Sequence, residues 1–366
     1  MQFTINREDL LKPLLQVAGV VERRHTQPVL SNILVEAIEN RLRMTGTDME
    51  LELHAEVGLV GDVVQGATTI PARKLVDICK NLPAEADVSF SHENERLVIR
   101  SGRSRFTLGT LPASDFPRTE ESVDGVQFTV APAQLRRVID SAAFSMAQQD
   151  VRFYLNGMLF QLKPGLLRTV ATDGHRLALA EAQVESVEAE TQVIVPRKGV
   201  NELSRLLADY NEDIQVVLGD RHIRIQINDL TFTSHLVDAT FPDFERVIPK
   251  NTSRAVQADR ELLRQSMQRV SILSNEKYRG VRFLLSPNTL KLVANNPEQE
   301  EAFEELSVAY NEDEFEIGFN VNYLLDVLNI LNGTEVLIQL GDSNSSAVIV
   351  DPNAEGCLYV VMPMRL

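Results

Sequence analysis

The sequence predicts an α+β chain built of three tandem copies of one domain, each with two helices packed on one face of antiparallel sheet. Three observations carry this: motifs that recur at a spacing of about 125 residues, apolar stripes at helical period, and intervening runs of alternating polarity. Thr47-Asp48 returns as Thr172-Asp173, Ile70-Pro71 as Val195-Pro196, and the run Leu111 to Pro117 as Leu236 to Pro242, all offset by 125. The third copy is fainter. Asn295-Asn296 stands where the Thr-Asp pairs stood, Phe319-Asn320-Val321-Asn322 opens a helix, and Val361 lies 125 beyond Leu236. The sequence stops near the place where the first two copies carry Phe-Pro, so that segment reads as a linker to a following copy. Copies spanning 1–122, 123–245 and 246–366 follow, and 366 residues suit three domains of ordinary size.

Leu75, Ile78, Cys79 and Leu82 fill the i, i+3, i+4, i+7 template of an amphipathic helix. So do Leu135, Val138, Ile139 and Ala142, and again Leu324, Val327, Leu328 and Leu331. Six helical segments are expected, at 7–18, 72–82, 132–146, 196–209, 257–271 and 320–331. Runs such as Arg96 to Arg100, Arg105 to Leu108 and His222 to Ile227 alternate in polarity and end on turn formers, which marks antiparallel strands.

Hydrophobic residues make up 44% and charged residues 24%, the balance of a soluble globular chain with ample surface to bury. Met1 to Leu10 holds no apolar signal core and no run of 18 apolar residues occurs, so a cytoplasmic protein is expected. Cys79 and Cys357 stand far apart, which suits a reducing compartment and offers neither a disulfide framework nor a zinc site. The six histidines, at 25, 54, 92, 175, 222 and 235, show no metal-ligand spacing, and no HExxH, GxSxG or phosphate-loop pattern is present. No cofactor is expected. Asp173 and His175 alone resemble an acid and base pair, without any surrounding catalytic motif.

The net charge of −16 argues at first against a protein that neutralises phosphates. The six helical segments nevertheless sum to +4, leaving −20 on the rest of the chain. Turning the apolar stripes inward turns Arg73, Lys80 and Arg137 outward. A second asymmetry lies along the chain: copy one holds Arg96, Arg100, Arg103 and Arg105, while copy three holds Glu298, Glu300, Glu301, Glu304 and Glu305. Opposite charge at opposite ends suits head-to-tail association, which closes into a ring when the rotation per domain permits. Two chains would then bring six domains and twelve helices around a hole, with Phe106, Ile272 and Leu273 as apolar neighbours in the contact.

With repeat and charged ends in place, the residues resemble the bacterial sliding clamp family, the beta subunit of DNA polymerase III, over the whole chain. The most specific stretches are Thr172 to Leu177 (TDGHRL), Asn156 to Phe160 (NGMLF), Ile272 to Lys277 (ILSNEK), Asn295 to Glu300 (NNPEQE) and the tail Val361 to Leu366 (VMPMRL). The resemblance implies three clamp domains, a homodimeric ring around duplex DNA, loading by an ATP-driven loader, and no catalysis by the ring itself. It implies DNA contacts from Arg24, Arg73, Gln149, Phe153 and Tyr154; Phe153 stands where the family often has tyrosine, so a hydroxyl is missing there. It also implies a pocket for short peptides of the replicative polymerase, the loader, other polymerases and repair proteins. That pocket would use Arg152, Leu155, Thr172, Gly174, His175, Arg176, Leu177, Pro242, Arg246, Val247, Tyr323, Ser346, Val360, Met362, Pro363, Met364 and Arg365. Asn344 departs from the valine common in the family's groove. Apolar side chains would form the groove, and the Arg and His edges would fix the polar ends of a peptide.

A ring holds DNA by topology and is better served by a weak phosphate grip than a tight one, so an acidic exterior with mildly basic helices is compatible with sliding. The competing reading is an open arc that recruits proteins without enclosing DNA.

Overall fold

The structure, a computed structural model, describes every residue except 23–25, 120–123, 186–189 and 366. Arg24, expected at DNA, lies outside the described residues. The described chain has six helices: α1 (Arg7–Ala18), α2 (Ala72–Asn81), α3 (Pro132–Ala143), α4 (Arg197–Leu207), α5 (Arg260–Val270) and α6 (Val321–Ile330). Each follows one strand and precedes three more, so each copy is two successive strand-helix-three-strand units. This halving is finer than the 125-residue period.

The expected stripes are the buried ones. Leu135, Val138, Ile139 and Ala142 of α3 are fully buried, as are Leu324, Val327 and Leu328 of α6; on α2 Leu75 and Cys79 are buried, whereas Ile78 is only half-buried. Three helices begin on a polar cap that satisfies an otherwise unpaired N–H: Asn6 accepts from Glu8, Asp259 from Leu262 and Asn320 from Asn322. The cap at Asp259 corrects the expected start of the fifth helix, because residues 257–259 finish the strand Arg254–Asp259.

The chain forms two compact units, Met1–Ala133 with Asn201–Leu236, and Gln134–Val200 with Val237–Leu366. The second copy is therefore shared between units. In the first unit an eight-stranded antiparallel sheet runs in the order Gly66–Pro71, Asn32–Ile38, Arg41–Thr47, Leu51–Gly58, Leu230–His235, His222–Ile227, Ile214–Gly219, Gly125–Val130. A four-stranded sheet runs Gln2–Asn6, Asp87–Glu93, Arg96–Ser101, Ser104–Gly109. α1 packs on α2 and on the strands Arg41–Thr47 and Leu51–Gly58.

The second unit repeats the plan. Its eight-stranded sheet runs Thr191–Pro196, Gly157–Lys163, Leu166–Thr172, Arg176–Gln183, Cys357–Val361, Ala347–Val350, Glu335–Leu340, Arg254–Asp259, and its four-stranded sheet runs Glu301–Ser307, Thr289–Asn295, Gly280–Ser286, Phe315–Asn320.

The repeated Thr-Asp pair does the same work in both copies: it closes the hairpin between the third and fourth strands. Thr47 Oγ1 donates to the Leu51 carbonyl at 2.7 Å and Asp48 Oδ1 accepts the Leu51 N–H at 2.7 Å. Thr172 Oγ1 donates to the Arg176 carbonyl at 2.6 Å and Asp173 Oδ1 accepts the Arg176 N–H at 3.1 Å. The next residue, Met49 or Gly174, has a left-handed backbone at φ 78° or 89°. Asn296 takes the role in copy three, accepting the Glu300 N–H at 2.9 Å. A cross-strand ion pair repeats as well, Arg43 with Glu56 and Arg168 with Glu181, and Lys291 stands opposite Glu305 in the third copy.

The Phe-Pro segments are not loose linkers. Phe116 is buried with Val29, Leu30 and Leu34, while Phe241 is buried with Leu159, Ile194 and Phe244. The sequence limit near 245 falls inside the short helix Phe244–Arg246.

Candidate functional site

Over the sheet of the second unit, the segment 241–247 leaves a groove of about 210 Å³ beside the seam where Arg176–Gln183 pairs with Cys357–Val361. Leu155, Leu177, Phe241, Phe244 and Val360 form its floor, each less than a tenth exposed. Met362 and Val247, 40% and 41% exposed, stand at its lip, so apolar surface is presented to solvent where it can be covered. Of the residues expected at a pocket, Arg152, Leu155, Thr172, Gly174, Arg176, Leu177, Pro242, Val247, Val360 and Met362 line it. Tyr154, expected at DNA, also lines it, and so do Phe241, Asp243 and Phe244, which residue-by-residue transfer missed. The signal for these lay in the repeated Phe-Pro segment.

The other expected pocket residues stand outside that lining. His175 is exposed and stacks on Tyr323, with ring centroids 6.2 Å apart. Arg246 is exposed and pairs with Asp243 at 2.7 Å. Ser346, Pro363 and Met364 are half-buried and Arg365 is exposed. The strand ends at Val361; beyond it Met362 N–H donates to the His175 carbonyl and Met364 N–H to the Gly318 carbonyl, each at 2.9 Å. The tail is thus tied down while the Met362 side chain stays half free.

Two arginines frame the groove, and their chemistry differs. Arg152 forks onto Asp150 at 3.0 and 2.8 Å and reaches the Asp173 carbonyl at 3.2 Å, holding the Asp150 carboxyl at about 2. Arg176 is spent on structure. Its guanidinium binds Asp173, Asp326 and the Phe144 carbonyl and lies over Tyr323 and Phe144, 4.7 and 5.2 Å from the ring centroids. These contacts stiffen the groove wall that Arg176 lines. Asp173 spends its carboxylate on the hairpin turn, where Oδ1 accepts the His175 backbone N–H and Oδ2 accepts from Arg176.

Sequence profiles of the DNA polymerase III beta subunit match three successive stretches: its N-terminal domain at residues 1–120, its central domain at 129–243 and its C-terminal domain at 245–365. The chain belongs to the DNA polymerase III beta subunit family. It is 54% identical to the beta sliding clamp of Pseudomonas aeruginosa and 51% identical to that of Escherichia coli K12, covering 100% of both chains in each case. Its fold is that of the Pseudomonas aeruginosa DNA polymerase III subunit beta crystal structure (TM-score 0.98, 53% identity) and of Caulobacter crescentus pol III beta (TM-score 0.95, 40% identity), again over 100% of both chains.

Other residues singled out for this family fall as follows. Gln149 is exposed with φ 54° and Phe153 is 56% exposed, next to Tyr154. Arg73 is exposed on α2 and pairs with Asp77 at 3.8 Å. Arg137 is exposed, as helical phase suggested, and its Nη2 donates to the Glu181 carbonyl at 2.5 Å and its Nη1 to Cys357 Sγ at 3.6 Å.

The residues expected at a subunit contact cluster on two sheet edges. Arg105 and Phe106 lie on the edge strand Ser104–Gly109, with Arg96 on the neighbouring strand and Arg103 in the turn between them. Glu301 and Glu304 lie on the edge strand Glu301–Ser307, with Glu298 and Glu300 just before it and Phe303 62% exposed. Phe303 was not foreseen. Ile272 is 75% exposed and Leu273 half-buried. Glu304 is already engaged within its own chain, accepting Arg269 Nη2 at 2.7 Å.

Proposed function

We propose that two copies of this chain close head to tail into a ring around duplex DNA, which slides along it and tethers the replicative polymerase. What supports closure is sheet arithmetic. Both eight-stranded sheets are seams between copies, in which the fourth strand of one copy pairs with the last strand of the next: Leu51–Gly58 with Leu230–His235, and Arg176–Gln183 with Cys357–Val361. Two half-sheets remain, and their open edges are the last strand of copy one and the fourth strand of copy three. Pairing them between chains makes the same seam a third time and removes both edges. Transferring the register in which Leu230 faces Ala55 and Phe232 faces Leu53 sets Ser104 opposite Glu304 and Phe106 opposite Ala302. Arg105 then lies diagonal to Glu301 and Glu305 of the other chain.

The groove at 241–247 receives short peptides from the polymerase catalytic subunit, the clamp loader, other polymerases and repair proteins, with apolar side chains on the floor and Arg152, Arg176 and Asp243 as charged groups around it. DNA passes Arg24, Arg73, Gln149 and Phe153, and Tyr154 joins the groove wall to that surface. The ring is a non-catalytic processivity subunit without a cofactor, working in the cytoplasm at the nucleoid; its copies meet near residues 122 and 245.

Loading the ring on nicked circular DNA and then linearising the plasmid tests the reading. Release on linearisation is expected, and retention on linear DNA with unblocked ends overturns enclosure. Sedimentation at micromolar concentration should give a dimer; a monomer there would favour the open arc.

A further inference from the structure

We infer that Glu52, His54, Thr119, Thr231 and Thr233 decide which seam of the chain accepts apolar peptides, by giving a second copy of the groove a polar floor. The inference rests on the reading that the groove at 241–247 receives peptides. Both seams are built on one frame. Leu34 faces Thr45 and Thr45 faces His54 in the first eight-stranded sheet, as Leu159 faces Val170 and Val170 faces Leu179 in the second. At the seam itself Glu52 faces Thr233 and His54 faces Thr231, where Leu177 faces Val360 and Leu179 faces Leu358. Phe116 shares a buried cluster with Leu34, as Phe241 does with Leu159, so the same segment crosses the same strand in both. A cavity of about 320 Å³ lies over the first seam, lined by Arg118 and Thr119 of that segment and by Glu52, His54, Thr231 and Thr233 of the strands.

The frames agree and the chemistry does not. Leu177, Leu179, Phe244 and Val360 belong to one buried apolar cluster, with Leu358 packed against it. The matching positions of the first seam carry Glu52, His54, Thr119, Thr233 and Thr231. Their polar groups are engaged with one another and with the walls. The Glu52 carboxylate accepts the Thr119 N–H at 3.1 Å and the Thr119 hydroxyl at 2.9 Å, the His54 ring stands 3.3 Å from the Glu56 carboxylate, and Arg118 pairs with Glu36 at 2.8 Å. An apolar side chain seated on that floor would take charged groups out of water and offer them no hydrogen bond in return, a cost that offsets what its own burial gains. Seated on Leu177 and Val360, the same side chain keeps that gain. Discrimination between the seams thus comes from the polarity of the floor and not from the course of the backbone.

Calorimetric titration of the full-length chain with a peptide from the polymerase catalytic subunit tests the inference. It is run beside a variant that copies the second seam into the first: Glu52→Leu, His54→Leu, Thr119→Phe, Thr231→Leu and Thr233→Val together. The parent should take one peptide per chain and the variant two. A variant that still takes one overturns the inference, and so does a parent that already takes two. A parent that takes none overturns instead the reading on which the inference rests. The reverse exchange, Leu177→Glu with Val360→Thr, keeps the question decidable should the five-fold variant fail to fold. It should weaken peptide binding at least about tenfold, and an unchanged affinity would show that floor polarity does not select the seam.

Discussion

A methyl group built on Gly174 would stand 3.0 Å from both terminal nitrogens of Arg152. The glycine has φ 89°, a conformation costly for other residues, and it lies in the turn that the Thr172-Asp173 pair closes. Its position 125 residues earlier, Met49, shows that the turn itself tolerates a side chain. At 174 the backbone strain is joined by the approach of Arg152, whose guanidinium must move aside for a methyl group. Gly174→Ala should therefore cost about 1–2 kcal/mol of stability and displace Arg152 from Asp173. Thermal melts and fluorescence anisotropy of a labelled polymerase-derived peptide would show both; an unchanged peptide affinity would mean that Arg152 does not shape the groove.

Met362 supplies exposed apolar surface at the groove lip, while its backbone is fixed through the His175 carbonyl. Met362→Asp should weaken peptide binding at least about tenfold and abolish polymerase stimulation, with the dimer intact by sedimentation. The strand that ends at Val361 keeps its ladder, so the melting temperature should move little. Stimulation at the parental level would remove the groove from the function.

Much of this was legible in the sequence because repeats and stripes are local signals. The Thr-Asp turns, the helical faces of α3 and α6 and the acidic run in copy three all have short-range causes. Three things were not. The division of each copy into two strand-helix-three-strand units leaves almost no side-chain trace. The partners of a cation come from distant elements: Asp326 pairs with Arg176 and the Glu181 carbonyl accepts from Arg137, and nothing near those arginines in the sequence announces either contact. Edge position is a property of the sheet, so Phe303 looked like any strand residue until its strand proved to be last in order.

The edge strands make charge reversal informative. In the proposed seam Arg105 is set diagonal to Glu301 of the other chain, so on that reading Arg105→Glu should weaken dimerisation, and Glu301→Arg in the same chain should restore much of it, because both contacts of a symmetric ring invert together. Each contact is exposed, so the loss should be about 1 kcal/mol or less per interface and should shrink in high salt. Sedimentation equilibrium at two salt concentrations measures this. A double variant weaker than either single one would contradict the transferred register.

The repeated cross-strand ion pair gives the acid limb of stability a specific origin. Burial pushes the Glu56 carboxyl upward, but hydrogen bonds from Arg41, Arg43 and His54 outweigh it and hold the group at about 2, below its ordinary value of 4.5. A carboxyl depressed by folding stabilises the protein fully above its unfolded value, and that stabilisation is lost as pH falls from about 4.5 towards 2. Glu56→Gln should therefore cost roughly 1–2 kcal/mol at pH 7, since water still reaches the pair. The gap between variant and parent should narrow below pH 4.5 and nearly close at pH 2. Urea melts across that range read the gap directly, and a constant difference at all pH values would show that the loss comes from packing and not from charge.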